Sequence, residues 1–302
     1  MSSIPRVSII VPQAAENDSF ESTLVSVLEN RPTGCEVLVA HDGHYRDPFA
    51  LGDEVDFIDA GSTSLLEMIR AASDVARARF VHVVVPGCRV TPDWVNGALD
   101  QFEDLDVAAV APTLMDGVTG RVASAGWEDT SARLFCPIAG GNESKKKAAD
   151  VTGCYLQASF WRTAVLRSLL DCLGASISGM TAANYALGQL LQVGHWRVRS
   201  TGASRLVLDS AWSETTGAVR GRLLSAICNA ITGETKPVSL VASAISALTG
   251  RNQFAETYGQ ATYSSQVTAV KRAISTDNLV TYDATNAVLK FPTHAQPIRR
   301  AA

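Results

Sequence analysis

The chain has 302 residues, of which 46% are hydrophobic and 19% charged, and its formal net charge is −4. This composition is typical of a soluble globular protein, and the slightly acidic balance gives no electrostatic reason to expect a nucleic-acid partner. The six cysteines are scattered and form no Cys-x-x-Cys pair. That pattern argues against a zinc site and against a disulfide framework.

The amino-terminal residues show no charged segment followed by an apolar one, which is the pattern of a secretory signal peptide. No apolar run in the sequence approaches the roughly 20 residues that a membrane-spanning helix needs. We therefore predict a cytoplasmic protein without a membrane span.

Short apolar runs alternate with helical patterns over the first 110 residues. Asp18 with Glu21, and Ser64 with Glu67, have the spacing of a capping box that begins a helix. Strands that alternate with helices through short links predict a mostly parallel sheet with right-handed crossovers. The predicted strands are residues 7–11, 36–40, 55–58, 80–85 and 107–111.

The stretch from residue 80 to residue 94, FVHVVVPGCRVTPDW, organises this half of the chain. Its first six residues are typical of a strand that is buried on both faces, and His82 within them is predicted to be a hydrogen-bonded core histidine. Thr91 and Pro92 then predict the start of a helix. Ligands of open α/β sheets bind at the carboxyl ends of strands, so residues 86–89 are expected to lie at the site.

The sequence changes character at about residue 214, and we predict a boundary between a domain of residues 1–213 and a helical C-terminal extension of residues 214–302. Apolar residues recur at helical spacing in three stretches of the extension. We expect these amphipathic helices to pack on the main domain or on a second copy of the chain, so a homo-oligomer is one prediction. The stretches begin at Val219, Val238 and Tyr263.

The order of these segments resembles that of a family 2 glycosyltransferase with the GT-A fold. That family has a strand that ends in Pro, a strand that ends in Asp-Asp-Gly-Ser, and an apolar strand followed by Asp-X-Asp and a Pro-Asp-Trp-like helix start. The corresponding segments here are VSIIVP, EVLVAHDGH and residues 71–94. The resemblance extends over roughly the first 210 residues, through TGC at 152–154 and the segment 184–198. It implies a mixed, mostly parallel sheet flanked by helices, a nucleotide-sugar donor and an acceptor that we cannot name.

Several acidic positions of that family are replaced in this chain. Val85, Pro86 and Gly87 stand where the family has its metal-binding Asp-X-Asp, so we predict no metal site and no divalent cofactor. Ala183 and Asn184 stand where the family has its catalytic-base acids, and neither can accept a proton from an acceptor hydroxyl.

The resemblance implies that Pro12, Asp42 and Gly43 contact the nucleotide. His41 takes the place of the first acid of the Asp-Asp pair. A metal site formed by His41, Asp42 and His44 is an alternative, although no third distant ligand is evident and a turn does not by itself bring such side chains together.

Other residues are candidates to replace the missing acids. Arg89 can bind a diphosphate through its guanidinium, and so can the lysines of residues 145–147; the alternatives are a surface arginine at a helix start and a solvated loop. Glu128 and Asp129 are candidates for the catalytic base, or else ordinary loop acids.

Two classes of function remain open after this comparison. The first is sugar transfer from a nucleotide-sugar without a metal, with Arg89 as the cation that stabilises the leaving diphosphate. The second is a non-catalytic relative that binds a ligand or a protein on the same scaffold.

Overall fold

The computed structural model describes residues 4–14, 17–45, 47, 50–130, 133–139, 148–174, 177, 179–210, 212, 215–234 and 251–292. The predicted helix at 238–248 and the lysines at 145–147 lie outside these ranges. No helix among the described residues is long and apolar enough to span a membrane.

The first half of the chain alternates strands and helices, as predicted. Five strands and two helices match the predicted segments within a few residues at each end. The strands are β1 (Ser8–Pro12), β2 (Glu36–His41), β3 (Asp56–Asp59), β4 (Phe80–Val83) and β6 (Val107–Asp116), and the helices are α1 (Asn17–Asn30) and α2 (Leu65–Val75).

Most of the shorter elements that follow could not be assigned from the sequence. Short strands with antiparallel partners and three helices lead up to the long strand that ends at residue 208 and runs parallel to β6. They are β5 (Cys88–Val90), α3 (Asn96–Leu99), β7 (Val122–Ser124), β8 (Trp127–Glu128), β9 (Cys136–Pro137), β10 (Ala149–Val151), β11 (Phe160–Arg162), α4 (Thr163–Asp171), α5 (Met180–Val193) and β12 (Arg197–Leu208), with single 3₁₀ turns at Asp100–Glu103 and Leu156–Ala158.

The central sheet is mixed, and its order is β10-β12-β6-β11-β4-β1-β2-β3, with β5 paired to β12 and β7 to β6. The four strands β4, β1, β2 and β3 run parallel, whereas β11 lies antiparallel between β4 and β6. All five residues of β1 are buried, as expected for an apolar central strand covered on both faces. The chain leaves β1 toward β2 and β3 and then returns to its other side with β4, so the sheet has a switch point between β1 and β4.

The predicted helix start at Thr91 and Pro92 is wrong. No helix begins there, and the Thr91 hydroxyl instead donates to the carbonyl oxygen of Arg205 at 3.0 Å. Asp93 then adopts a positive φ of 59°, and α3 does not begin until Asn96. The predicted capping box at Ser64 also fails, because Ser64 makes no side-chain cap to α2 and Glu67 instead pairs with Arg70.

The C-terminal region consists of three described helices and a hairpin. The two described helices predicted by apolar spacing are confirmed as α6 (Gly217–Thr232) and α8 (Ser264–Ala273), and Gly233 ends α6 in the left-handed conformation. Between and after them lie α7 (Arg251–Ala261), β13 (Thr281–Asp283) and β14 (Val288–Lys290). α6 packs against α5 and α7, so this extension lies against the α/β region. The boundary at residue 213 stays a prediction.

Candidate functional site

The carboxyl ends of β1, β2 and β4 lie next to one another at the switch point of the sheet. Pro12 ends β1 and is buried, and the next residue, Gln13, donates its amide to the Ala40 carbonyl of β2 at 2.7 Å. Beyond β4 the chain stays extended, because the Val84 amide donates to the Ile10 carbonyl at 2.9 Å. Ligands of open α/β sheets occupy the crevice at such a point, so these ends define the candidate site.

A tight turn after β2 carries the predicted nucleotide contacts Asp42 and Gly43. Asp42 Oδ1 accepts the His44 amide at 2.9 Å, and His41 Nδ1 accepts the Gly43 amide at 3.0 Å. Gly43 has a φ of +91°, which a glycine adopts without strain. The second carboxylate oxygen of the half-buried Asp42 has no hydrogen bond within the described residues, so this oxygen is available to a ligand.

The backbone of Val85, Pro86 and Gly87, which the sequence resemblance aligns with the family's metal motif, is held by hydrogen bonds to other segments. The Val85 amide donates to the Gln157 carbonyl at 3.1 Å, and the Gly87 amide donates to the Thr23 hydroxyl at 3.1 Å. The Gly87 carbonyl accepts the Asp209 amide at 2.9 Å.

A divalent cation does not fit this segment. Val85, Pro86 and Gly87 offer no side-chain oxygen, and the nearby Asp209 carboxylate is already paired with Arg89. Hard cations need several such oxygens. Among the described residues, no group of three or more His, Cys, Asp or Glu side chains could hold a metal ion.

Arg89 lies on strand β5 and not at a helix start. Its guanidinium forms an ion pair of 2.8 Å with Asp209, and both side chains are about half exposed. Arg89 also lines a groove of about 580 Å³ beside α1, together with the carboxylates of Asp18, Glu21 and Glu29. No hydrogen bond or ion pair of the described residues joins Arg89 to Pro12, Asp42 or Gly43. Because Arg89 is paired with Asp209, a diphosphate would have to compete with that carboxylate for the guanidinium.

A buried amide stands at the position that the sequence resemblance aligns with the family's catalytic base. Asn184, which is 2% exposed, accepts the Leu156 amide at 2.8 Å and donates to Gln157 Oε1 at 2.8 Å. Gln157 is itself only 5% exposed. The pair links the first turns of α5 to the 3₁₀ turn beside Val85. Sequence patterns gave no reason to single out Gln157, since it follows no recognisable motif.

The two predicted base candidates have different surroundings. Asp129 accepts hydrogen bonds from the Phe135 amide at 2.8 Å, the Tyr185 hydroxyl at 3.1 Å and Gln189 Nε2 at 3.3 Å. Asp129 therefore links the turn after β8 to α5. The burial of Tyr185, together with the negative charge of Asp129, raises the pKa of the Tyr185 hydroxyl far above its ordinary value. Glu128 is exposed on β8, with no hydrogen bond from its side chain in the described part of the chain.

No protein-family model matches the chain, and no curated protein matches its sequence. Among solved structures, a crystal structure of GalNAc-T7 with UDP, GalNAc and Mn²⁺ resembles this chain with a TM-score of 0.58 and 9% sequence identity. The match covers 90% of this chain and 59% of that chain, so this chain spans about three fifths of the length of that protein. The likeness confirms the predicted fold class: the chain has a GT-A-like glycosyltransferase fold.

Proposed function

We propose that the chain is a glycosyltransferase-like protein that binds a nucleotide-sugar in the crevice between β1, β2 and β4 without a divalent metal. The observation that carries the proposal is the ordered turn after β2. Asp42 keeps one carboxylate oxygen for a ligand there, at the point of the sheet where ligands of α/β proteins bind. The carboxylate suits an N–H of a base or a hydroxyl of a ribose.

Sugar transfer would require a cation for the leaving diphosphate and a base for the acceptor. We assign the first role to Arg89, which would exchange Asp209 for the phosphate oxygens, and the second to Glu128. Asp129 is the weaker candidate, since its carboxylate already accepts three hydrogen bonds. Asp209 and the acids of the neighbouring groove oppose the approach of an anion, so the Arg89 assignment needs a direct test.

Calorimetric titration with UDP, GDP and their sugars, with and without Mn²⁺, tests the proposal. We expect binding that Mn²⁺ does not strengthen, because the Val85–Gly87 segment supplies no metal ligand. Asp42→Asn should weaken binding by about 1–3 kcal/mol, because the charged contact is lost while the amide oxygen still accepts the His44 N–H.

The matched control for this titration is Asp53→Asn in the exposed loop before β3, which should bind as the wild type does. Unchanged affinity of the Asp42 variant would place the ligand elsewhere. Binding that EDTA abolishes would contradict the metal-free site.

The buried Asn184–Gln157 pair favours a second candidate, a non-catalytic relative that binds a ligand or a protein. Its amide groups cannot take a proton, and they are withdrawn from solvent. The two candidates differ in turnover of UDP-, GDP- and dTDP-sugars. An enzyme consumes one of these donors and loses on the order of 100-fold or more in rate on Arg89→Ala. A non-catalytic relative consumes none, even by slow hydrolysis.

A further inference from the structure

The turn that presents Asp42 is held by two side-chain to backbone hydrogen bonds, and only one of them depends on a neutral histidine. Asp42 Oδ1 accepts the His44 amide, and His41 Nδ1 accepts the Gly43 amide. The backbone before the turn is fixed, because the His41 carbonyl accepts the amide of Ala60, the residue after β3, at 2.8 Å. The conformation of residues 42–44 therefore depends on these two acceptors.

A backbone amide is only a donor, so the Gly43 contact requires a lone pair on His41 Nδ1. The ring is then the neutral form with its hydrogen on Nε2. Nε2 itself has no hydrogen-bond partner among the described residues, and it is not buried without one. A protonated imidazole carries a hydrogen on both nitrogens and has no acceptor left, so protonation breaks the Gly43 contact.

We infer that His41 is a positioning residue for ligand binding, and that its neutral ring holds the Asp42 turn in the binding conformation. The inference rests on the proposed function, because it assumes that Asp42 contacts the nucleotide. A side chain without an acceptor at position 41 releases the Gly43 amide, and binding then includes the cost of reordering the turn.

Two substitutions separate the acceptor from the ring. An asparagine in place of His41 can accept the amide two residues later at any pH, as asparagines do in Asx turns. A phenylalanine keeps the ring beside Tyr45 and Phe57, whose centroids lie 6.2 and 6.4 Å from that of His41, but offers no acceptor. The matched control is His195→Asn, an exposed histidine at the far end of α5.

The experiment measures nucleoside diphosphate affinity by calorimetry in one buffer for all four proteins. We expect His41→Asn and His195→Asn to bind like wild type. His41→Phe should be about fivefold weaker, as expected for one lost hydrogen bond. A His41→Asn protein that binds as weakly as His41→Phe, or a His41→Phe protein that binds like wild type, overturns the inference.

A second measurement does not need a ligand. The Gly43 amide should be protected from hydrogen exchange, relative to its intrinsic rate, in wild type and His41→Asn, and unprotected in His41→Phe. If no nucleotide binds the wild type, the proposed function fails while this pattern still reports the role of His41 in the turn. Equal protection in wild type and His41→Phe shows that His41 does not hold the turn.

Discussion

His82 is a neutral imidazole enclosed by the central sheet, as its place in an apolar run predicted. Its ring stacks on Phe160 with centroids 3.7 Å apart, and Nδ1 lies 3.3 Å from the Ser159 carbonyl. Burial lowers the pKa of His82 to about 3. The sequence indicated this role because one polar residue in a buried strand is more often a bonded core residue than a catalytic one.

Acid should destabilise the protein through His82. The unfolded chain binds a proton as the pH falls below about 6.5, whereas the folded chain does not until about pH 3. The unfolded state therefore gains protons first, and the free energy of unfolding should drop by about 2 kcal/mol between about pH 7 and about pH 5. Urea unfolding at both pH values measures this loss.

His82→Phe should remove most of that acid sensitivity, because phenylalanine cannot bind a proton in the unfolded chain. The variant should still fold, since the ring stack is kept and the Ser159 carbonyl still accepts the Val83 amide. His195→Asn, an exposed histidine, should behave like wild type. A His82→Phe protein that loses as much stability in acid as wild type would assign the effect to other groups.

At the scale of elements, two arginines cap each other's helices. Arg70 of α2 donates to the Leu170 and Leu173 carbonyls at the end of α4, at 2.8 and 2.9 Å. Arg167 of α4 donates to three carbonyls at the end of α2, those of Ser73, Asp74 and Ala76. A positive charge at a helix C-terminus is favourable, and the carbonyls there have no partner within the helix.

Arg167→Met should therefore reduce the free energy of unfolding by about 1–3 kcal/mol, because the half-buried carbonyls at the end of α2 lose their donor. Chemical denaturation measures the change, and Arg121→Met, on an exposed turn, is the matched control. Equal stabilities of the two variants would mean that water replaces the guanidinium at no cost.

The same elements show how far the sequence specifies the fold. Buried strands such as β1 and β4 follow from their own apolar runs, and α6 follows from its spacing and from Gly233. The helix predicted at Thr91 does not start there, because Asp93 has a positive φ, and Thr91 instead bonds to Arg205, which is 114 residues away along the chain.

The residues of the candidate site divide in the same way, into those that local sequence predicts and those placed by contacts between distant segments. Asp42 follows from local sequence, since it stands in a recognisable turn at a strand end. The Asn184–Gln157 pair and the Arg89–Asp209 pair join distant segments, and no local pattern reports such contacts. The membership of family 2 and the roles of Arg89 and Glu128 stay predictions.

At the scale of the whole molecule, a buried ion pair joins two helices of the C-terminal extension, and both of its members also bond to the α/β region. Arg220 of α6 is 1% exposed and pairs with Glu256 of α7, which is 4% exposed. The Arg220 guanidinium also donates to the Phe135 carbonyl at 2.7 Å in the turn that Asp129 fastens to α5. The two helices, α6 and α7, cross closely at this point. The crossing requires the glycine at position 221, since a Cβ there would overlap the Glu256 carbonyl oxygen. This network makes separate unfolding of the extension unfavourable.

Arg220→Met should destabilise the protein by about 3 kcal/mol, because Glu256 stays buried with only Arg133 beside it and the Phe135 carbonyl loses its donor. Adding Glu256→Leu should recover much of the loss, since an apolar pair of similar volume carries no buried charge.

Calorimetric melting should show one transition for wild type and for both variants. Two resolved transitions in the wild type would instead support residues 1–213 and 214–302 as independent units. An Arg220→Met protein as stable as wild type would show that the contacts of Arg220 do not hold the extension in place.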